Sequence, residues 1–213
     1  MKHVFFLFFL LIIFRNSTAQ VSVNIHWYTG KPSGASDTIH YDPERKLQWK
    51  DFAGAPDMNS GAAAITESGF GYRLAMRSVN GRMNLDVTIF CYFNRKMSWV
   101  KRGMNTAYAL THEQHHFDIT WINTCAFVRK LKAARFTHSN YASLIDSIYD
   151  GCYESLRTMQ DAYDGQTSNG RNRAVQAEWN SRIDDLLVAQ TKDYRSVPVS
   201  AVRAGQHSRF LHR

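Results

Sequence analysis

Along "GYRLAMRSVNGRMNLDVTIFCYF", residues 71 to 93, apolar and polar side chains alternate on both sides of Asn80-Gly81. A period of two marks half-buried strands, and Asn-Gly favours the turn whose twist matches paired strands, so this stretch predicts a β-hairpin. One face carries Tyr72, Leu74, Met76, Leu85, Val87, Ile89, Cys91 and Phe93 and is expected to pack on helices, while Arg73, Arg77, Asp86 and Thr88 point the other way. Upstream, "VNIHWY" (23 to 28) is a second β-rich run, "KPSGASD" (31 to 37) is loop, and "LQWKDFAGAPD" (47 to 57) ends in Gly and Pro punctuation.

After "NRKMSWVKRG" the period changes. From about Asn105 to Arg135 neither Pro nor Gly interrupts a long helix, which Asn105 or Thr106 caps. A second helix is predicted from about Asn140 to Tyr163, a break at "DGQTSNGRN" (164 to 172), and a third helix from about Arg173 to Ala189. Residues 191 to 213 are basic, lack a usable period and read as a mobile tail. There are no internal repeats. The class this implies is α+β, an N-terminal antiparallel sheet packed against a long helix and further C-terminal helices.

The first nineteen residues stand apart, with Lys2, an apolar run from Val4 to Phe14 and small residues before Gln20. That is the pattern of a secretory signal peptide, too short to span a bilayer, which takes roughly 20 residues. The expected product is exported, periplasmic or secreted, without stable membrane insertion. About 194 residues remain, enough for one core over 20 to 190. The formal charge of +8 loses Lys2 and Arg15 on processing, and the remaining Lys and Arg are scattered, which argues against nucleic acid as a partner. Cys91, Cys125 and Cys152 allow at most one disulfide. Cys125 with Cys152 on neighbouring helices is the pair expected in an exported chain, and three buried thiols are the alternative. Trp49, Trp99, Trp121 and Trp179 read as core.

The chemistry concentrates in "THEQHHFDITW", residues 111 to 121. On a helix each residue advances about 100°, so His116 falls about 40° from His112, one turn along on the same side, and Glu113 flanks the pair. This is the His-Glu-x-x-His arrangement of zinc hydrolases. Neutral imidazole is a good zinc ligand, and a site with three protein ligands keeps a position open for water, whose pKa falls to about 7. Glu113 is then the general base that accepts the water's proton during attack on a carbonyl. The bare pattern arises by chance in roughly one chain in a hundred of this composition, so the exported, β-then-α context carries much of the weight. His115 lies beside the ligand face, as a surface or supporting residue. Asp118 is turned away, as a structural acceptor. Asn123 lies under the ligand face, either supporting a ligand or as an ordinary polar position.

"LTHEQHHFDITW" resembles the core motif of the bacterial predicted secreted zinc-dependent proteases, a family with the signature His-Glu-Gln-x-His-Phe-Asp-Ile. "LQWKDFAGAPD", "AAAITESGFGY", "YFNRKMSWVK" and "YDGQTSNGRNRAVQAEWN" agree with it, so the similarity runs from about Ile25 to Leu187. It implies a zincin-like domain that binds Zn²⁺ through His112 and His116, with Glu113 catalytic. Where the family's pattern places a histidine two residues after the threonine of the "YD…T" block, this chain has Asn169 after Thr167 and Ser168. A neutral amide is a poorer zinc ligand than imidazole or carboxylate. The third ligand is then Asp164, a histidine elsewhere such as His138, or Asn169 bound weakly. Tyr163 is either an oxyanion donor or a half-buried ring near a helix end.

Two functions follow as expectations. The leading one is an exported zinc metallopeptidase acting on a peptide or protein that lies extended beside the helix of His112. The alternative is a noncatalytic exported binding domain, a degenerate metalloprotease in which Asn169 marks lost metal. No Gly-x-Ser-x-Gly turn, Gly-rich phosphate loop or Cys-His nucleophile setting competes.

Overall fold

The computed structural model describes residues 21–28, 36–79, 82–195 and 197–200. The expected signal peptide, Asn80 and Gly81, most of residues 31–37 and residues 201–213 lie outside them.

The hairpin forms where alternation predicts it. Strands β4 (Ser68–Val79) and β5 (Arg82–Asn94) pair antiparallel from Val79 opposite Arg82 to Ser68 opposite Phe93. Leu85, Val87, Ile89, Cys91 and Phe93 are buried, but Met76 is 56% exposed. β4 is the outer strand, whereas Leu85, opposite Met76, is flanked on its other side by Val23. The expected antiparallel sheet is in fact mixed. β4 occupies one edge of β5; on the other edge β1 (Ser22–Tyr28) runs parallel along Asn84 to Ile89, and β2 (Thr38–His40) runs antiparallel along Tyr92 to Asn94. Polar and apolar alternation is the same for both directions, so it carries no information about strand sense.

Two short strands, β3 (Ala64–Ile65) and β6 (Trp99–Val100), form a separate antiparallel pair beside the main sheet. Helix α1 (Ala107–Ala133) is capped by Thr106, whose side chain accepts from Ala109 N–H at 3.1 Å. It is buried nearly all round because it is the middle of three layers. One side meets the sheet through Trp27, Tyr41 and Phe93 against Trp121 and Phe117; the other meets α2 (Tyr141–Thr167) and α3 (Arg173–Arg195). Among the described residues no helix is long and apolar enough to cross a membrane.

Three departures from the sequence expectations bear on the site. α2 continues four residues past Tyr163, through Gly165, and ends only where Ser168, Asn169 and Gly170 turn left-handed, with φ of 52°, 53° and 76°. A helical Gly costs about 1 kcal/mol, which the packing of Tyr163 and Thr167, both fully buried, offsets. α3 runs to Arg195, and Val199–Ser200 forms β7, parallel to β1, so the stretch expected to be a mobile tail from 191 contains helix up to 195 and a strand at 199–200. The expected disulfide is absent. All three cysteines are buried and none is in a disulfide, Cys125 and Cys152 filling helix packing as small side chains, and burial pushes the Cys91 and Cys152 thiols up. Trp99, Trp121 and Trp179 are core, whereas Trp49 is half-buried and its indole N–H donates to Thr106 O at 3.2 Å.

Candidate metal centre

The seven residues from His112 to Asp118 divide between two faces of α1. His112, Glu113 and His116 face a cleft of about 480 Å³ between α1, α2 and the segment from Ala62 to Ser68. Gln114, His115 and Asp118 face inward. Asp118, fully buried, accepts from Tyr41 Oη at 2.8 Å and Gln114 Nε2 at 2.9 Å and lies 3.2 Å from His115 Nδ1. Gln114 Oε1 accepts from Leu47 N–H at 2.7 Å. This network clamps the chain around Tyr41 to Leu47 onto α1 and holds the helix in one rotation. Asp118 is the structural acceptor its angle suggests. His115 is buried rather than on the surface, held by Asp118 and edge-on to Tyr163.

The Nε2 atoms of His112 and His116 converge to 3.2 Å. Asp164, one turn from the end of α2, brings Oδ1 to 3.2 Å from the first and 3.1 Å from the second. The three form a nearly equilateral triangle and could hold a metal ion. Donors about 2.0–2.1 Å from a tetrahedral zinc stand roughly 3.3 Å apart, so the triangle has the right size. The orientation agrees as well. Asp164 Oδ1 is buried and, despite two ring nitrogens so close, has no hydrogen bond of good geometry, an arrangement that leaves the three donor atoms able to share a cation. Burial opposes ionisation of Asp164, but the two imidazoles outweigh it and hold the carboxyl well below the usual range. For His116, burial works against protonation, yet Asp164 and Glu113 outweigh it and raise its pKa.

Glu113 Oε2 is the other orphan, a buried carboxylate oxygen in the same cleft with no hydrogen-bond partner among the described residues. Tyr163 is fully buried, not half-buried, and its ring stacks on His112 at 4.7 Å with planes 18° apart. Its hydroxyl donates to His112 O at 3.3 Å and accepts from Gln176 Nε2 at 2.6 Å. With its one hydrogen given to His112 O, Tyr163 is a platform for the His112 ring and not an oxyanion donor.

Asn169 lines the cleft, and its backbone N–H donates to Asp164 O at 2.8 Å, which closes the end of α2. Asn123 turns from the ligands and donates to Ile119 O in its own helix at 3.0 Å. His138 follows the far end of α1, which stands about 25 Å from His116 at 1.5 Å per residue.

Sequence reasoning missed two glutamines. Gln176 Oε1 lies 2.9 Å from His112 Nδ1, and Gln160 Oε1 bonds His116 Nδ1. A signal existed for Gln160: with the second helix carried through Gly165, Gln160, Tyr163, Asp164 and Thr167 fall at i, i+3, i+4 and i+7, one helical face. Gln176, on α3, has no such local signature. No protein-family model, curated protein or solved structure matches the chain.

Proposed function

We propose that the chain is an exported zinc-dependent peptidase with a zincin-like domain, in which His112, His116 and Asp164 hold the metal and Glu113 is the general base. The observation that carries this reading is the pairing of a three-donor triangle with an unpartnered buried carboxylate oxygen on Glu113. Resemblance of residues 110 to 121 to the secreted zinc-dependent proteases and the leader-like first nineteen residues support it. A third donor from Asp164 does not depend on Asn169, which favours the peptidase over a noncatalytic binding domain.

When bound, zinc supplies the Lewis acidity that polarises a carbonyl and acidifies water. The protein's own groups do the rest. Glu113 takes a proton from the attacking water and returns it to the departing amine, the role its free oxygen in the cleft allows. The substrate's place follows from β3. Lys101 N–H donates to Ala63 O at 2.9 Å, and Ala64 pairs with Val100. Since N–H and C=O alternate edges along a strand, Ala64 turns both groups away from β6, on a segment that lines the cleft. An extended peptide adds to that edge by backbone hydrogen bonds. Hydroxyls of Thr66 and Ser68 tie the segment to α1 through Glu113 O (3.1 Å) and Thr120 Oγ1 (2.7 Å), fixing its distance from Glu113.

The test is zinc content of protein purified without added metal, followed by digestion of a broad peptide library. Wild type is expected to carry zinc and release peptides, and Glu113→Ala to keep the zinc while losing roughly 10²- to 10⁴-fold in rate. Equal digestion by the variant would refute the role of Glu113; no digestion by zinc-loaded wild type would favour the binding domain.

A further inference from the structure

We propose that Gln160 and Gln176 are positioning residues that fix both ligand imidazoles as the Nδ1–H tautomer, leaving each Nε2 lone pair free for the metal. The inference rests on the metal reading of the site, but its main readout needs no metal and no substrate.

An imidazole has one donor and one acceptor nitrogen when neutral, and the partner of one decides the state of the other. Which atom of a glutamine faces a ring must itself be argued from its remaining contacts. For Gln160 the argument closes locally: its Nε2 lies 2.9 Å from His116 O. A backbone carbonyl only accepts, so that end of the amide is NH₂ and the end at His116 Nδ1 is oxygen. His116 Nδ1 therefore carries the proton. For Gln176, Nε2 stands 2.6 Å from Tyr163 Oη and 2.7 Å from Asn180 Oδ1, using both amide hydrogens. Turning it over would need Asn180 to turn as well and Tyr163 to release His112 O. The oxygen thus faces His112 Nδ1 at 2.9 Å.

The two amides come from different helices, Gln160 on α2 and Gln176 on α3, so the donor triangle is oriented by packing that no single element supplies. The Gln176 contact is also dry. Gln176 is 2% exposed and His112 7%, and Gly170 closes over them so tightly that a Cβ there would stand 3.3 Å from His112 Nδ1 and 3.7 Å from Gln176 Oε1. Water cannot readily substitute for the amide, so its loss leaves the ring free to choose the wrong tautomer. Amides rather than carboxylates in this position orient the rings without adding charge, leaving Asp164 as the one anion among the three donors.

The experiment is nitrogen-15 NMR of the histidine rings in the full chain without metal, at a pH where both rings are neutral, together with zinc affinity by chelator competition. Wild type is expected to show Nδ1–H for His112 and His116. Gln160→Leu and Gln176→Leu are each expected to mix the tautomers of their own ring and weaken zinc binding about 10- to 100-fold. Gln160→Glu and Gln176→Glu keep an acceptor oxygen opposite Nδ1 and, as carboxylic acids, one donor toward His116 O or Tyr163 Oη, and are expected to retain Nδ1–H and zinc binding. They and the wild-type spectrum decide the matter if a leucine variant does not fold. Nε2–H rings in wild type, folded leucine variants that bind zinc like wild type, or glutamate variants that fail to restore the tautomer would each overturn the proposal. Absence of peptidase activity alongside the expected tautomers would instead count against the hydrolytic reading alone.

Discussion

Replacing Asp164 by Asn keeps the shape of the side chain and removes a negative charge from a point 3.2 and 3.1 Å from Nε2 of His112 and His116. The side chain is 40% exposed, so the fold should survive the change. Zinc in four-ligand peptide sites is bound by roughly 10–16 kcal/mol, or about 2.5–4 kcal/mol for each ligand. An amide oxygen retains part of that, so the loss should be about 2–3 kcal/mol, a rise in Kd of about 30- to 150-fold. The assay is competition with a chromophoric chelator at neutral pH, with a urea titration to verify folding. Asn169→Ala is the companion variant and should bind zinc like wild type, because Asp164 completes the donor triangle without it. Unchanged affinity in Asp164→Asn, or an equal loss in Asn169→Ala, would refute Asp164 as the third ligand.

Two further outcomes follow from the same geometry. Gly170→Ala places a Cβ on a residue with φ of +76°, 3.3 Å from the His112 ring, and should cost about 1–3 kcal/mol in a urea titration; a wild-type midpoint would show that the turn yields more easily than its packing suggests. On the outer face of the sheet, burial opposes ionisation of Asp86, but Asn24, Arg77 and His26 outweigh it and lower its pKa. Its stabilisation is thus present above the ordinary carboxylate value of about 3.9 and is lost as pH falls through the lower folded value. Asp86→Asn should accordingly flatten the fall in urea midpoint between about pH 5 and pH 2.5, and an equally steep fall would mean that other carboxylates govern acid unfolding.

Much of the molecule was legible in the residue order because the governing interactions are local. Alternation about Asn80-Gly81 specifies a hairpin, Thr106 followed by an uninterrupted run specifies α1, and a spacing of four places His112 and His116 on one side of it. These follow from backbone geometry, whose periods of 2 and 3.6 residues need no partner. What the order of residues left open is whatever depends on which element lies next to which. Strand direction is one example, since β1 alternates like an antiparallel strand yet runs parallel to β5. The third donor is another: Asp164 reaches the triangle because α2 persists through Gly165, and it persists because Tyr163 and Thr167 find buried places against their neighbours. Gln160 and Gln176 gain their role only when α2 and α3 converge on α1, at sequence separations of 44 and 64 residues from the histidines they hold. Two donors were thus written into one turn of helix, whereas the third, and the hydrogen bonds that aim the two imidazoles, came from packing, because long-range contact leaves no periodic trace in a sequence.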